Sequence, residues 1–375
     1  MSKEKKMRIA LLAAGSDVHA VRWANKLNEL GHEVHLIFQK NHDLKQDQVS
    51  NQIKVHKLNF KKTIGYYLNT IELKKILNKI NPDILNAHYA SGYGTLARLT
   101  NFHPCIISVY GSDVYDFPYK SKINMSIIKK NLNYADGIAS TSHVMANQTI
   151  DLGIKHELKD IKITPFGVDT NKFKRNDRNT SNEKIIIGSI KKLSPKYGLE
   201  YSIKAIKYMI DNKMIDLEKL NFEYRIYGEG NQKEDFEKFI KLNNLEKYIK
   251  LKGRVPNTQV PNELNNFDIF IGSSILESES FGVAIVEAMA CEIPVIVSNV
   301  GGFKEVVGNG QYGVVFERKN VKELADKIID LIENPEKRRK MGKLSRKRVL
   351  DEYDWENNSN LMVDFMKNIK KEFNK

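Results

Sequence analysis

The sequence contains few cysteines and no long apolar run. Its 375 residues include only two cysteines, Cys105 and Cys291. That number excludes a disulfide framework and a cysteine zinc site, and both residues stand in apolar sequence, so we expect buried thiols. No apolar stretch reaches the roughly 20 residues that a membrane-spanning helix needs. The first residues lead into a strand-like segment without the apolar core of a signal peptide, so we expect a cytoplasmic protein.

The composition is that of a globular protein with an uneven charge. Hydrophobic residues make up 41% and charged residues 28%, which excludes a disordered chain, and the length predicts two domains. Residues 1–180 contain 27 Lys and Arg against 16 Asp and Glu, whereas the remainder contains 33 against 30. This asymmetry indicates that the N-terminal half meets an anionic partner such as a phosphate-bearing lipid, a membrane surface or nucleic acid. Ordinary solvated lysines are the alternative.

Short apolar runs alternate with helical patterns along the chain. Residues 8–14 form an apolar run typical of a strand buried on both faces, and residues 20–30 repeat apolar side chains with a helical period. Gly31 stands where a glycine ends a helix, and residues 34–38 predict the next strand. The first 38 residues therefore predict a strand–helix–strand unit, the building block of a parallel sheet covered by helices.

The alternation is interrupted once, by a polar segment. Strands are predicted at 84–87, 105–109, 137–140 and 162–164, and then at 184–190, 222–227, 248–251, 268–272 and 294–297. Helices are predicted at 321–333, 336–352 and 355–373. The predicted fold class is α/β, with two doubly wound, Rossmann-like domains facing across a cleft. Their expected bounds are 1–166 and 183–354, with a linker at 167–182 and a C-terminal helix at 355–375 packing back toward the N-terminal domain. Ligands bind at the carboxyl ends of strands in such sheets.

Residues 273–290 carry the strongest chemical signal. Glu279 lies in a strand-to-helix loop, and Glu287 lies eight residues further on, within the helix that Gly282 introduces. The glycine permits close approach of a ligand, and the first amides of a helix attract an anion. The two carboxylates could then hold two hydroxyl-bearing parts of one ligand. The alternative is a helix cap and a solvated side chain, but Glu287 stands among apolar residues, where an unpaired carboxylate is unfavourable.

This segment, with its E-x7-E spacing, resembles the signature of retaining family 4 glycosyltransferases, the group 1 enzymes of GT-B fold that act in bacterial surface-polysaccharide synthesis. Other segments match that family in the same order along the chain. They are the loop at Gly15 and residues 165–169, 227–230, 251–255 and 301–307. The resemblance extends over residues 7–370. It implies a hexosyltransferase that moves a sugar from a nucleotide-diphosphate sugar to an acceptor.

The resemblance also implies a role for each matching residue. The N-terminal domain would bind the acceptor and the C-terminal domain the nucleotide sugar. Glu287 would bind the ribose hydroxyls and Glu279 the hydroxyls of the donor sugar, since carboxylates accept hydrogen bonds well. The implied donor-binding residues are Gly15, Lys196, Gly228, Arg254, Ser280, Phe281, Gly282, Val283 and Glu287. The candidate catalytic residues are Glu279, Lys192, His88 and Tyr110.

The sequence departs from the family at the expected diphosphate site. Similar enzymes place an arginine, and a lysine five residues later, against the diphosphate. Lys192 and Tyr197 occupy these two positions here, and the adjacent Lys196 could supply the second charge from another angle. Because a lysine is a point charge rather than a bidentate fork, the hold on the diphosphate is expected to differ. Loop charge without a role is the alternative for these lysines.

A second departure lies in the N-terminal half. Many relatives have a histidine that contacts the donor sugar where this chain has Tyr110, which leaves the identity of the sugar open. Asp113 either orients an acceptor hydroxyl or caps the following turn. His88 ends a predicted strand in a glycine-rich setting and is a candidate for the cleft. His19 and Arg22 are further candidates on the acceptor side.

We expect neither a metal nor a cofactor, because no Asp-x-Asp pair stands in a suitable strand-end loop and the nucleotide sugar is a substrate. Helix amides and lysines would instead stabilise the charge of the leaving diphosphate. The resemblance alone implies retention of anomeric configuration. We expect front-side transfer, in which the donor phosphate helps to deprotonate the acceptor.

The resemblance favours a UDP-sugar over GDP-mannose as donor, and a saccharide or polyprenyl-diphosphate-linked acceptor. Residues 61–68 and 119–132 mix basic and apolar side chains, so they could lie on the inner face of a membrane, or their apolar faces could pack on the sheet. Nucleic acid is not an expected partner, since no recognised motif accompanies the charge. A catalytically silent homologue that stabilises another transferase is the main alternative, and a sugar-nucleotide epimerase is another. The intact glutamates favour an active enzyme.

Overall fold

A computed structural model describes residues 6–44, 49–176, 184–214 and 221–375 of the chain. These residues form two compact units. The first unit is Met1–Pro165 together with Asn357–Lys375, and the second is Phe166–Glu356. The first ten residues of the predicted linker, 167–176, belong to the second unit, and its residues 177–182 lie outside the described part of the chain.

The first unit is built on a parallel sheet. Its strands are β1 (Arg8–Leu12), β2 (Glu33–Gln39), β3 (Lys54–Leu58), β4 (Ile84–His88), β5 (Cys105–Val109), β6 (Gly137–Ser140) and β7 (Ile161–Ile163). Its helices, before the final one, are α1 (Val18–Glu29), α2 (Lys62–Leu68), α3 (Thr70–Ile80), α4 (Gly92–Thr100), α5 (Ser112–Tyr115), α6 (Lys122–Tyr134) and α7 (His143–Asp151). Within the described residues the strand order is β3-β2-β1-β4-β5-β6-β7.

The second unit repeats this plan. Its strands are β8 (Lys184–Ile190), β9 (Asn221–Tyr227), β10 (Ile249–Gly253), β11 (Ile269–Gly272), β12 (Val295–Ser298) and β13 (Val314–Phe316). Its helices are α8 (Leu199–Asp211), α9 (Lys233–Leu242), α10 (Val260–Leu264), α11 (Val283–Ala290), α12 (Gly301–Val306), α13 (Val321–Glu333) and α14 (Pro335–Glu352). In the part of the chain that is described, the strand order is β10-β9-β8-β11-β12-β13.

Local sequence explains the first strand–helix–strand unit. Strand β1 is almost entirely buried, as an apolar strand covered by helices on both faces should be. Helix α1 begins at Asp17, whose side chain accepts a hydrogen bond from the backbone N–H of His19. Beyond the end of α1, Gly31 adopts the left-handed backbone with φ of 86°. The predicted helix-ending glycine is confirmed.

Both sheets reverse their strand order beside their first strand. In the first unit β1 lies between β2 and β4, and in the second unit β8 lies between β9 and β11. In open parallel sheets the loops diverge at such a switch point and leave a crevice for ligands at the carboxyl ends of the strands. The predicted doubly wound α/β architecture is confirmed, and among the described strands each sheet has one switch point.

The final helix, α15 (Trp355–Phe373), packs on the first sheet. Lys370 Nζ lies 2.5 Å from Asp83 Oδ1. A Cβ atom on Gly137 would lie 2.7 Å from the Phe365 ring, so glycine is required where the helix covers β6. None of the helices in the described residues is both long and apolar enough to span a bilayer.

Candidate active site

The switch point of the second sheet carries an ion pair between Lys191 and Glu279. Lys191 follows β8, and Glu279 lies in the loop between β11 and α11. Lys191 Nζ lies 2.7 Å from Glu279 Oε1, and the two side chains are 26% and 11% exposed. Burial alone would lower the pKa of Lys191, but the charge and hydrogen bond of Glu279 raise it above its usual value. The structure therefore holds a charged ammonium group at the carboxyl edge of this sheet.

The short turn after β8 adds a second ammonium group and an aromatic ring. Lys196 Nζ donates a hydrogen bond to the carbonyl of Ser278 at 3.1 Å and lies 3.9 Å from Glu279 Oε2. Lys191 Nζ lies 4.6 Å from the centroid of the Tyr197 ring, within the range of a cation–π contact. Two cations therefore face one carboxylate, and this cluster is suited to an anionic ligand.

The N-terminus of α11 presents unpaired amides beside this cluster. Gly282 is the N-cap residue, with φ of 91°, and no side chain caps the helix. Within the described residues, the backbone N–H groups of Phe281, Gly282 and Val283 have no hydrogen-bond acceptor. Lys191, Tyr197 and Gly282 line one small cavity of about 10 Å³. Free amides at a helix N-terminus together with ammonium groups are suited to an anionic ligand.

Packing fixes the backbone of this loop. The Phe281 ring makes edge-to-face contacts with Phe166 and Tyr353, at centroid distances of 5.9 and 5.5 Å. A Cβ atom on Gly282 would lie 2.6 Å from the Phe303 ring, so no other residue fits there without a shift. Because aromatic packing holds the loop in place, its amides are oriented before any ligand arrives.

Glu287 lies on the accessible face of α11, beside Val283 and Ala284, and is half-buried. Its other sequence neighbours turn toward the core: Ile285, Val286, Ala288 and Met289. The sequence argument that apolar neighbours surround Glu287 was therefore wrong, because the helix turns them to the opposite face. Its charge still reaches the cluster, since Glu287 is among the groups that raise the pKa of Lys191.

The switch point of the first sheet holds a histidine–tyrosine pair. His88, the last residue of β4, is 1% exposed. Its Nε2 lies 3.2 Å from Asn86 Oδ1, and its Nδ1 lies 3.1 Å from the Tyr110 hydroxyl. Burial, followed by the nearby His19, lowers the pKa of His88 to about 3. The imidazole is therefore neutral at physiological pH and takes part in hydrogen bonds rather than in ion pairs.

Asp113 connects the ends of β4 and β5. Its Oδ2 accepts a hydrogen bond from the N–H of Ala90 at 2.8 Å. Its Oδ1 accepts hydrogen bonds from the N–H groups of Tyr110 at 3.1 Å and Gly111 at 2.9 Å. Burial raises the pKa of Asp113, and these backbone hydrogen bonds oppose that effect. Both oxygens are engaged by the backbone, as the turn-cap alternative requires.

The loop after β1 and the start of α1 border the same switch point. His19 and Arg22 are half-buried on α1. A Cβ atom on Gly15 would lie 2.8 Å from the Phe38 ring and 2.9 Å from the carbonyl oxygen of His42. Packing against the end of β2 therefore already explains the glycine, and its expected contact with the diphosphate or acceptor is not needed to account for it.

Arg254 lies apart from the ion pair, at the end of β10. With Lys252 and Arg225 it lines an open groove of about 440 Å³. Tyr227 and Glu263, which are joined by a hydrogen bond, form another wall of the groove. Across residues 6–44, 49–176, 184–214 and 221–375, no cluster of three or more His, Cys, Asp or Glu side chains is arranged to hold a metal ion.

Two family models match successive parts of the chain. The model described as "Glycosyl transferase 4-like" matches residues 8–142, and the model described as "Glycosyl transferases group 1" matches residues 170–348. The chain is a GT-B glycosyltransferase. The first match covers β1 to β6 and the second covers β8 to β13, so each includes the switch point of its sheet.

Two curated relatives match this glycosyltransferase over about nine tenths of their own length. It is 24% identical over 357 residues to the N-acetyl-alpha-D-glucosaminyl L-malate synthase of Bacillus anthracis, with 90% of each chain covered. It is 25% identical over 362 residues to the capsular polysaccharide biosynthesis glycosyltransferase CapM of Staphylococcus aureus, covering 89% of this chain and 90% of CapM. The structure of Anabaena HepE in complex with UDP matches with a TM-score of 0.79 at 17% identity, covering 96% of this chain and 100% of that chain. Its neighbours among solved structures are GT-B glycosyltransferases, which confirms the predicted fold class.

The sequence predicted Lys192 at the diphosphate site of this glycosyltransferase. In the structure the preceding residue, Lys191, forms the ion pair with Glu279. Lys192 is exposed, and its side chain makes no hydrogen bond or ion pair in the described residues. The family spacing pointed to Lys192, and nothing in it indicates that the preceding residue turns inward. In the structure Gly228 packs closely on Lys191: a Cβ atom there would lie 1.9 Å from the Lys191 carbonyl oxygen, so this glycine lets β9 end against Lys191. Ser278 was also missed; its buried hydroxyl has no partner within the described residues.

Proposed function

We propose that this glycosyltransferase moves a sugar, with retention of anomeric configuration, from a UDP-sugar to a saccharide or polyprenyl-diphosphate-linked acceptor in cell-surface polysaccharide synthesis. The observation that best supports this proposal is the Lys191–Glu279 ion pair beside the unpaired amides of α11. It combines cations and N–H groups for a diphosphate with a carboxylate for sugar hydroxyls. The names of the relatives support this choice, because HepE is seen with UDP and CapM is named for capsular polysaccharide biosynthesis.

The donor occupies the second unit in this proposal. The two phosphates, and the charge that develops as UDP leaves, are stabilised by Lys191, by Lys196 and by the backbone amides of residues 281–283. These groups perform the task that a divalent cation performs in metal-dependent transferases. Glu279 shares the Lys191 ammonium with the diphosphate and accepts hydrogen bonds from the donor sugar. Glu287 accepts hydrogen bonds from the ribose, and the groove at Arg254 and Lys252 borders the base.

The acceptor uses the first unit. Neutral His88 and the Tyr110 hydroxyl offer hydrogen bonds to a sugar hydroxyl without adding charge. In the transfer step the acceptor oxygen forms its bond to the anomeric carbon on the face from which the bond to the phosphate oxygen breaks. The proton of the acceptor hydroxyl passes to a donor phosphate oxygen, and UDP is released. Glu279 is held by Lys191 and acts in positioning rather than as a nucleophile.

Product analysis by mass spectrometry, with the anomeric configuration of the new linkage read by proton NMR, tests the proposal. The protein is incubated with UDP-glucose, UDP-N-acetylglucosamine or GDP-mannose and a panel of saccharide and polyprenyl-diphosphate saccharide acceptors, with EDTA present. We expect an α-linked product from a UDP-sugar, and a loss of about 100-fold or more in Glu279→Gln. Glu277→Gln is the matched control, because Glu277 lies in the same loop but pairs with Arg318 at 2.8 Å.

Other outcomes contradict separate parts of the proposal. A product formed only from GDP-mannose contradicts the UDP assignment, and inactivity in EDTA that Mn²⁺ reverses contradicts metal independence. A β-linked product contradicts retention. Nucleotide binding without turnover of any donor favours the silent-homologue alternative.

A further inference from the structure

One face of the α2–α3 segment exposes large apolar side chains. Ile64 is 61% and Ile71 is 69% exposed. Three others are at least 45% exposed: Phe60, Tyr67 and Leu68. Ile64, Tyr67, Leu68 and Ile71 are spaced as on one helix face, and Asn69, which joins α2 to α3, keeps a right-handed helical backbone. Phe60 precedes the helix. We call these five apolar side chains the α2–α3 stripe.

The fold of the first unit does not require this stripe. The same segment buries a different set of positions, also at helical spacing, against the rest of the unit: Gly65, Asn69, Leu73, Leu77 and Ile80. An isolated exposed apolar residue is ordinary, but a continuous exposed stripe on a helix that already has a buried face marks a contact surface. The expectation that the apolar side chains of residues 61–68 pack on the sheet therefore fails for Ile64, Tyr67 and Leu68.

The residues around the stripe are mostly basic. Four exposed lysines flank it: Lys61, Lys62, Lys74 and Lys75. The acidic residue of this segment, Glu72, is occupied by Asn59, since its two oxygens accept hydrogen bonds from the Asn59 backbone and side chain at 3.0 and 2.9 Å. Apolar side chains bordered by lysines complement the headgroups and acyl chains of an anionic lipid surface.

A second exposed apolar pair lies where α6 begins. Tyr119 is 61% and Ile123 is 71% exposed, and Lys120 and Lys122 next to them are exposed as well. Helix α4 packs against both α2–α3 and α6, so these helices cover one face of the sheet side by side. The stripe and this pair repeat the same combination of apolar and basic side chains within one layer of the first unit.

The stripe lies at the edge of the sheet that carries His88. Gly65 of α2 packs against the side chain of Gln39, the last residue of β2. The Tyr66 ring covers Gly92 at the start of α4, which follows the end of β4 at His88. Because parallel strands end at the same edge, the exposed stripe borders the edge at which His88 and Tyr110 meet.

We propose that the α2–α3 stripe, together with Tyr119 and Ile123, docks on an anionic lipid bilayer. The apolar side chains enter the headgroup region, and the lysines contact lipid phosphates. The docking itself is inferred from this surface alone. The purpose of docking, which is to present a lipid-linked acceptor to the His88 edge of the sheet, rests on the proposed function.

Vesicle sedimentation with the full chain tests the docking. The vesicles are phosphatidylglycerol–phosphatidylcholine mixtures and pure phosphatidylcholine, without donor or acceptor. We expect binding to the anionic vesicles, weakened about tenfold or more in the double variant Ile64→Ser, Ile71→Ser. We expect each single replacement of a lysine by glutamine to weaken binding about fivefold. The variants are Lys61→Gln, Lys62→Gln, Lys74→Gln and Lys75→Gln. Leu242→Ser is the matched control, since Leu242 is 71% exposed on α9 of the second unit.

Two results would overturn the proposal. The first is wild-type binding to anionic vesicles that is absent or equal to that of the Ile64→Ser, Ile71→Ser variant. The second is that the wild type is a dimer in solution, the variant is a monomer, and neither binds vesicles. That result would assign the stripe to a contact between two copies of the chain. Because the assay uses no nucleotide, its failure leaves the proposed transfer reaction untouched, and failure of the transfer assay leaves the docking result unaffected.

Discussion

Lys191 donates a hydrogen bond of 2.7 Å to Glu279, although 88 residues separate them in sequence. They meet because β8 and β11 are neighbours in the sheet and both residues lie beyond the carboxyl ends of these strands. The reversal of strand order at β8 thus brings a cation and a carboxylate together beside the first amides of α11. Donor binding as proposed depends on this contact.

The adjacent lysines Lys191 and Lys192 should differ sharply in function. Lys191→Gln keeps a polar side chain, one atom shorter, but removes the charge that stabilises the leaving diphosphate, so we expect kcat to fall by about 100-fold or more. Lys192→Gln, whose side chain is exposed, should retain activity close to wild type. Steady-state kinetics with the best UDP-sugar measures both, and equal losses in the two variants would contradict the assignment.

Gly228→Ala should destabilise the second unit. A Cβ atom would lie 1.9 Å from the Lys191 carbonyl oxygen, and φ is 149°, so the loop must move. We expect the free energy of unfolding to fall by about 3 kcal/mol or more. Gly31→Ala is the control, because Gly31 has φ of 86° but no atom within 4 Å of the added Cβ, and the expected loss there is about 1 kcal/mol. Urea unfolding measures both, and equal losses would show that backbone conformation rather than the close contact requires Gly228.

The low pKa of His88 predicts a pH-dependent stability. The unfolded state binds a proton near pH 6.5, whereas the folded state, with a pKa of about 3, does not. The free energy of unfolding therefore falls as pH drops from 6.5 toward 3, by about 1.4 kcal/mol per pH unit once below 6.5. His88→Gln removes this contribution. Urea unfolding at pH 7.0, 5.5 and 4.5 should show a smaller loss in the variant than in wild type, with the other histidines common to both. Parallel curves would contradict the burial of a neutral His88.

Asp113 should behave as a structural residue. Asp113→Ala removes the acceptor of three backbone N–H groups in a buried place, so we expect a loss of about 2–4 kcal/mol in the free energy of unfolding. Where the variant is still folded, its KM for the acceptor should stay near that of wild type. A stable variant with a greatly raised acceptor KM would instead show that Asp113 orients the acceptor.

Periodicity alone predicted much of the fold. The predicted helices at 321–333 and 355–373 agree with α13 and α15 residue for residue. Strand β3 was missed because Lys54, Val55 and Lys57 are exposed at the edge of the sheet and form no apolar run. Strand β13 was also missed, and two of its three residues, Val314 and Val315, are only half-buried. Both omissions concern strands that lack the buried run on which the prediction depended.

The candidate site was predictable only in part. The E-x7-E spacing located Glu279 and Glu287, since both follow one strand within a continuous stretch of sequence. The partner of Glu279 lies after another strand, and only the strand order shows that β8 and β11 are neighbours. Whether Lys191 or Lys192 turns inward depends on the path of the chain beyond β8, which Gly228 permits by packing on the Lys191 carbonyl.

Calorimetric titration of UDP into wild type and Lys191→Gln tests the central claim most directly, with Lys192→Gln as control and GDP and ADP for comparison. We expect saturable binding of UDP that is stronger than that of GDP or ADP. In Lys191→Gln the Kd for UDP should rise about tenfold or more, because a charge-assisted contact with the diphosphate is lost. Lys192→Gln should bind as wild type does. An unchanged UDP affinity in Lys191→Gln would contradict the assignment of the diphosphate to the Lys191–Glu279 site.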